Sequence, residues 1–218
     1  MLIFENKSAI VFAGDSVTDS GRKRPVGEGL WDGVGNGYVR SIDTLLNVYY
    51  PEYFYRIVNM GVSGDNSRNL LSRWQTDVMD LNPDYIVCCI GFNDVWRFFD
   101  EPGCKTGVSI EEYRNNLEKM AEASIGKVRK LIFMTPYYME ANKSDEMRVK
   151  MTEYASVMKQ VAEKYKTDCI DLQKEFDGYL KYRYPAYITW DRIHPGWIGS
   201  QIIASAFLRY AGFDRKII

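Results

Sequence analysis

Histidine is almost absent from this chain, because His194 is the single one among 218 residues. One imidazole excludes a His-rich metal site, and it leaves a single candidate for a general base near neutral pH. The four cysteines have neither the spacing of a zinc site nor the density of a disulfide framework. We therefore expect free thiols, as in a cytoplasmic protein, at Cys88, Cys89, Cys104 and Cys169.

Strong net charge and long apolar segments are also lacking. The formal net charge is −1, so no basic patch for nucleic acid or anionic lipid is expected. No apolar run is long enough to cross a bilayer, and the first residues lack the basic start and apolar core of a signal peptide. These absences predict a cytoplasmic protein with no nucleic-acid or membrane partner.

Apolar segments of strand length alternate with amphipathic segments of helix length along the chain. Strands are predicted at 8–13, 55–59, 85–90, 130–134 and 168–172. Helices are predicted at 38–49, 66–79, 109–123, 145–165 and 199–210, with a long loop at 15–37. The unbroken apolar run at 85–90 is typical of a central parallel strand. The alternation predicts one domain over 1–218, a doubly wound α/β sandwich with a parallel sheet.

Polar or glycine-containing loops follow the predicted strands at their carboxyl ends. Residues 14–16 follow the first strand, 61–64 the second and 91–94 the third. Asp191 and His194 lie in the loop before the last predicted helix. Ligands of such sheets bind at the carboxyl ends of the strands, so we expect these polar residues to meet there.

Three of these residues form a candidate catalytic set. The Ser16 hydroxyl is a poor nucleophile until a base takes its proton, and His194 is the one imidazole available. The base in turn needs a carboxylate that fixes its tautomer, and Asp191 is the nearest in sequence. The set predicts ester hydrolysis through an acyl-enzyme, without a metal or other cofactor.

Acyl transfer also needs donors for the oxyanion. The candidates are the backbone N–H of Ser16, the backbone N–H of Gly61 and the side-chain amide of Asn93. Each residue has an ordinary alternative role: Ser16 as a helix N-cap, Gly61 as a turn glycine and Asn93 as a loop cap. Their occurrence at successive strand ends of one chain favours the catalytic interpretation.

Four blocks of the sequence resemble those of the SGNH (GDSL) hydrolases. They are Gly14-Asp15-Ser16 with Asp19, Gly61-x-Ser63-Gly64, Gly91-x-Asn93-Asp94 and Asp191-x-x-His194-Pro195. The resemblance implies a flavodoxin-like α/β/α sandwich whose five parallel strands have the order 2-1-3-4-5. It also implies Ser16 as nucleophile, His194 as base and Asp191 as orienting carboxylate, with oxyanion donors from Ser16, Gly61 and Asn93.

Further segments are similar to the bacterial acetyl xylan esterases of this superfamily. They are residues 21–29, 37–39, 93–97, 134–137 and 190–192. This similarity implies that a small acetylated saccharide is the partner and that acetyl groups are removed from xylo-oligosaccharides. The residues that we expect to contact the substrate are Asp15, Trp96, Arg97, Tyr137 and Trp190. Arg22 and Arg24 are candidates for hydrogen bonds to hydroxyl groups or for surface ion pairs, and the abundant aromatic residues favour a homo-oligomer.

Three other interpretations stay open at this point. A broad short-chain carboxylesterase or lysophospholipase-like enzyme would use the same catalytic set on other esters. A metal-dependent phosphohydrolase would collect a hard cation at its aspartates, for which the candidates are Asp15, Asp19, Asp94 and Asp191. A carbohydrate-binding module would keep the fold without catalysis. The last is disfavoured because the complete Ser, Gly, Asn and His set is present.

Overall fold

The computed structural model describes residues 2–100 and 107–214. Five parallel strands form a sheet in the order β2-β1-β3-β4-β5, which confirms the predicted topology. The strands are β1 (Ala9–Gly14), β2 (Arg56–Gly61), β3 (Tyr85–Cys89), β4 (Lys130–Met134) and β5 (Asp168–Ile170). Every residue of β3 is buried, and successive side chains of a strand point to opposite faces, so both faces of the sheet are covered.

Helices pack on the sheet in two groups. They are α1 (Ser16–Asp19), α2 (Tyr38–Tyr49), α3 (Ser67–Ser72), α4 (Trp74–Asp77), α5 (Phe92–Trp96), α6 (Ile110–Ser124), α7 (Glu146–Tyr165), α8 (Leu172–Leu180) and α9 (Trp197–Tyr210). Helix α9 contacts α2 and α8, whereas α6 contacts α3 and α7. The three short helices α1, α5 and α8 were not predicted, because two of them are a single turn and the third follows its strand directly.

Several predicted boundaries differ from the structure by one or two residues, and two of the differences have a local cause. The helix predicted at 66–79 is broken at Arg73, whose guanidinium donates hydrogen bonds to the carbonyl oxygens of Gly14 and Met60 and pairs with Asp65. The last strand ends at Ile170 rather than at 172, because the next residue accepts a hydrogen bond from the Lys174 N–H as the N-cap of α8.

The cysteines of the described residues are free thiols. Cys88 and Cys89 are buried in β3, and burial raises the pKa of both thiols, whereas Cys169 is half-buried. Cys104 lies outside the described residues. Within the same two ranges, no helix has both the length and the apolar character that a membrane span requires.

Candidate active site

The carboxyl ends of three neighbouring strands meet at the candidate site. Gly14, the last residue of β1, pairs with Gly61 of β2 and with Cys89 of β3. Ser16 follows as the first residue of α1 and is half-buried. The helix begins there because the Asp15 carboxylate accepts a hydrogen bond from the Val17 N–H at 3.0 Å. The sheet and this N-cap together fix the position of the Ser16 hydroxyl.

The structure brings Ser16, His194 and Asp191 into one hydrogen-bonded chain. The Ser16 Oγ lies 2.7 Å from the His194 Nε2, and the His194 Nδ1 lies 2.5 Å from the Asp191 Oδ2. Because a carboxylate accepts at Nδ1, we assign the ring proton to Nδ1, which leaves Nε2 to accept the Ser16 proton. This geometry suits activation of a serine nucleophile by a histidine base.

Asp191 is held ionised and fixed by the loop that carries it. Its Oδ1 accepts hydrogen bonds from the Ile193 N–H at 2.9 Å, from the His194 N–H at 2.8 Å and from the Thr189 hydroxyl at 3.1 Å. Partial burial alone would raise the pKa of Asp191, but the hydrogen bonds from His194 and Ile193 outweigh it and lower that pKa. A carboxylate that stays charged stabilises the imidazolium that forms during proton transfer.

Aromatic side chains surround the imidazole and support its loop. The Trp96 ring meets the His194 ring edge to face at 5.6 Å, and the Trp190 ring lies nearly parallel to it at 6.3 Å. Trp190 is 85% exposed, so one face of its indole is open to a ligand. The buried Tyr137 hydroxyl supports the loop, because it donates a hydrogen bond to the carbonyl oxygen of Ile193, the residue before His194, at 3.0 Å.

The predicted oxyanion role of Gly61 is wrong. Its N–H donates a hydrogen bond to the Asn59 Oδ1 at 2.9 Å and is therefore engaged inside the protein. A Cβ at this position would lie 2.2 Å from the backbone nitrogen of Asp19. Position 61 therefore requires glycine because β2 and α1 approach each other closely there.

Gly64 takes the place of Gly61 as a candidate donor. It is exposed, has a φ of +89°, and its N–H has no hydrogen-bond acceptor among the residues that the structure describes. Asn93 is nearly buried, and one hydrogen of its amide is donated to the Asp65 carbonyl oxygen at 2.8 Å, so a second hydrogen is left for a ligand. The Ser16 N–H likewise has no acceptor within the described ranges.

The residues predicted to contact the substrate divide into two groups. Asp15 and Tyr137 are fully buried, so the prediction that they contact a substrate is wrong, and both instead support the segments that carry Ser16 and His194. Trp190 is exposed and Trp96 is half-buried, both beside His194. Arg97 is half-buried, pairs with Asp100 and lies over the Trp96 ring.

The aspartates proposed for a phosphohydrolase metal site are engaged separately. Asp19 pairs with Arg24, Asp191 binds His194, and Asp94 accepts hydrogen bonds from Ser67. Burial raises the pKa of Asp94 to about 7 despite those hydrogen bonds. Burial likewise raises the pKa of Asp15 well above its ordinary value, and its Oδ2 has no hydrogen-bond partner among the described residues. Across residues 2–100 and 107–214, no group of three or more His, Cys, Asp or Glu side chains is placed to hold a metal ion.

The candidate catalytic residues open into a pocket of about 470 Å³. The pocket is lined by Ser16, His194, Trp190, Asp19, Ser20, Gly21, Arg22, Arg24 and Ser63. The sequence analysis assigns neither Asp19 nor Ser63 a role in substrate binding, although both belong to the blocks that resemble SGNH hydrolases and both line this pocket. Arg22, a candidate for hydroxyl binding, is buried and donates its hydrogen bonds to the carbonyl oxygens of Gly61, Lys23 and Pro25.

Known proteins are similar to this chain over nearly its full length. A model of the GDSL-like lipase/acylhydrolase family matches residues 12–202. An acetylxylan esterase of Geobacillus stearothermophilus is 44% identical over 206 residues, which cover 94% of this chain and 94% of that protein.

Two solved structures extend the similarity to the fold. The crystal structure of Axe2, an acetylxylan esterase from Geobacillus stearothermophilus, matches with a TM-score of 0.96 and 42% identity, covering 100% of this chain and 99% of that chain. The crystal structure of LAE5, an alpha/beta hydrolase enzyme from the metagenome of Lake Arreo, Spain, matches with a TM-score of 0.95 and 42% identity, covering 97% of this chain and 98% of that chain.

Proposed function

The chain belongs to the GDSL-like lipase/acylhydrolase family and is a serine ester hydrolase, and we propose that it removes acetyl groups from sugar esters, with acetylated xylo-oligosaccharides as substrates. The observation that carries the proposal is the hydrogen-bonded chain from Ser16 through His194 to Asp191 at the open face of Trp190. The similarity to acetylxylan esterases over nearly the whole chain supports the substrate class.

The reaction proceeds in two halves. In the first, the Ser16 Oγ attacks the acetyl carbonyl carbon while the His194 Nε2 takes the hydroxyl proton, and Asp191 stabilises the imidazolium. The oxyanion of the tetrahedral intermediate accepts hydrogen bonds from the Ser16 N–H, the Gly64 N–H and the Asn93 amide. The intermediate collapses as His194 gives its proton to the departing sugar oxygen, which leaves an acetyl group on Ser16.

In the second half, water replaces the sugar. His194 Nε2 takes a proton from the water, whose oxygen attacks the acetyl-enzyme carbonyl. The second tetrahedral intermediate uses the same donors, and its collapse releases acetic acid as Ser16 recovers a proton from His194. The steps consume one water and produce one acetate and one sugar hydroxyl. No step needs a cofactor, so we expect full activity in EDTA.

The decisive test is the Ser16→Ala variant assayed for acetate release from acetylated xylobiose. We expect kcat to fall about 10³- to 10⁶-fold, because the nucleophile is removed. Ser72→Ala is the matched control, since Ser72 is an exposed serine on the short helix α3 whose hydroxyl donates to a backbone carbonyl. Turnover that persists in Ser16→Ala would overturn the mechanism.

The acyl specificity separates this proposal from a broader esterase or lysophospholipase-like enzyme. We expect kcat/KM to be highest for acetyl esters and to fall with longer acyl chains, because the similar proteins along nearly the whole chain are acetylxylan esterases. A steady rise beyond butyryl esters would favour the lipolytic alternative.

We further propose that the protein is cytoplasmic and that it associates with copies of itself. A groove beside the site is lined by exposed aromatic residues, among them Tyr184, Tyr187, Trp190 and Trp197, and this supports self-association. Cell fractionation would test the location, and light scattering coupled to size exclusion would give the oligomeric state.

A further inference from the structure

An exposed arginine lines the same pocket as Ser16 and His194, and a buried carboxylate holds it there. We propose that Arg24 determines the specificity for sugar esters by donating hydrogen bonds to the oxygen atoms of the sugar beside the acetyl group. This inference rests on the proposed function and names a residue that selects its substrate.

Arg24 is fixed at two points. Its Nη2 lies 2.5 Å from the Asp19 Oδ2, and its Nη1 donates to the Arg22 carbonyl oxygen at 3.1 Å. Asp19 itself is 4% exposed, and the same Oδ2 accepts a hydrogen bond from the Ser63 N–H at 2.9 Å. The anchor is therefore rigid, so Arg24 loses little side-chain freedom when a ligand binds.

Donors remain available on this guanidinium. Of its five N–H groups, the two hydrogen bonds to Asp19 and Arg22 use two, and the side chain is 49% exposed. The other arginine of the pocket differs, since Arg22 is buried and donates to three backbone carbonyls. Arg24 is therefore the pocket arginine that is arranged to meet a ligand.

The chemistry of the pair favours a neutral, oxygen-rich ligand. The charge of Asp19 offsets that of Arg24, so the pair as a unit attracts an anion only weakly, whereas its fixed N–H donors suit hydroxyl and ring oxygens. A hydrogen bond from a charged donor to such an oxygen is worth about a ten- to hundred-fold change in binding. A pyranose with its ester carbonyl at Ser16 carries hydroxyl groups on the neighbouring ring carbons.

The test compares two secondary acetate esters on six-membered rings. One is the monoacetate of methyl β-xylopyranoside, which carries hydroxyl groups, and the other is cyclohexyl acetate, which carries none. Arg24→Met keeps the length of the side chain and removes the donors. We expect kcat/KM for the sugar ester to fall at least tenfold, mainly through KM, with a much smaller change for cyclohexyl acetate.

Arg40→Met is the matched control, because Arg40 is comparably exposed and also pairs with an aspartate, Asp32, but does not line the catalytic pocket. Thermal unfolding of both variants checks the fold. An unchanged preference for the sugar ester in Arg24→Met would overturn this inference alone, as would an equal loss with both esters. Equal kcat/KM values for the two esters in the wild type would instead overturn the proposed substrate class and this inference with it.

Discussion

Ser16 and His194 share one hydrogen bond, yet their supports differ. On the nucleophile side, α1 packs so closely on the sheet that a Cβ at Gly61 would overlap the Asp19 backbone. The buried Asn59 amide joins the two elements, since it donates to the Thr18 carbonyl oxygen at 2.6 Å and accepts from the Gly61 N–H at 2.9 Å. This side is held by backbone packing in the core of the protein.

On the base side, an exposed loop between α8 and α9 carries the histidine. Its shape rests on side-chain hydrogen bonds, in which Asp191 accepts from two backbone N–H groups and Tyr137 donates to the Ile193 carbonyl oxygen. The difference indicates that changes on the base side will mainly reduce catalysis, whereas changes on the nucleophile side will mainly reduce stability.

Among changes to the groups that support Ser16 and His194, the largest expected effect is that of Asp191→Asn on the base side. The variant keeps an oxygen for the backbone N–H groups of the loop but loses the charge that stabilises the imidazolium. We expect kcat to fall about 10³- to 10⁴-fold with little change in the melting temperature. Asp32→Asn, at an exposed aspartate outside the pocket, is the control. A variant with nearly normal kcat would show that the loop alone orients His194.

The next effect is electrostatic and concerns Asp94, a fully buried carboxyl group in α5. Burial raises the pKa of Asp94 from near 4 in the unfolded chain to about 7 in the fold, so the folded state binds its proton more tightly. The contribution of Asp94 to stability is therefore greatest below pH 4, falls as pH rises towards 7 and is constant above that. Urea unfolding of wild type and Asp94→Asn over this range should show the wild type losing up to about 4 kcal/mol relative to the variant. Parallel pH profiles of the two proteins would contradict the assignment.

Alanine substitutions at Gly61 and Gly64 distinguish an effect on packing, measured as stability, from an effect on catalysis, measured as kcat. We expect Gly61→Ala to lower the free energy of unfolding by about 3 kcal/mol, because its Cβ overlaps the Asp19 backbone. Gly64→Ala has free space around its Cβ, so we expect it to lower the free energy of unfolding by only about 1 to 2 kcal/mol, because of its positive φ. We also expect Gly64→Ala to lower kcat more than Gly61→Ala does, because it displaces the N–H that donates to the oxyanion. If Gly61→Ala lost kcat while keeping its stability, Gly61 would again be the oxyanion donor.

The smallest effect comes from a pair of buried tyrosines. Tyr137 and Tyr113 are both fully buried, and each donates to a backbone carbonyl oxygen at 3.0 Å, the first in the histidine loop and the second at Ile90. Phenylalanine at either position should cost about 1 to 2 kcal/mol of stability. We expect only Tyr137→Phe to lower kcat, by a few-fold. Equal kcat values in both variants would mean that the loop does not depend on this support.

The sequence predicts the sheet, and the meeting of Ser16, His194 and Asp191 at its carboxyl ends, for identifiable reasons. The buried strands are marked by unbroken apolar runs, and Ser16, Asp191 and His194 lie in motifs at the ends of elements. Patterns along the chain do not show which way a side chain points, and for this reason the buried Tyr137 was predicted to contact substrate. Nor do they reveal hydrogen bonds between distant segments.

Long-range contacts account for the remaining differences. The block Gly61-x-Ser63-Gly64 contains two glycines, and the sequence does not show which of them has a free N–H. The structure distinguishes them, because the Gly61 N–H donates a hydrogen bond to Asn59. The break between α3 and α4 has a similar origin, because Arg73 at the break reaches the carbonyl oxygen of Gly14, 59 positions away in the chain.

The hydrogen bond between Ser16 and His194 joins positions that are 178 residues apart. A chain emerging from the ribosome therefore carries Ser16 long before His194 exists, and by the proposed mechanism it cannot cleave esters until the loop between α8 and α9 has met α1. The appearance of esterase activity during refolding or synthesis would therefore mark the meeting of these two distant segments. Esterase activity can therefore be used to follow the folding of this chain without an attached label.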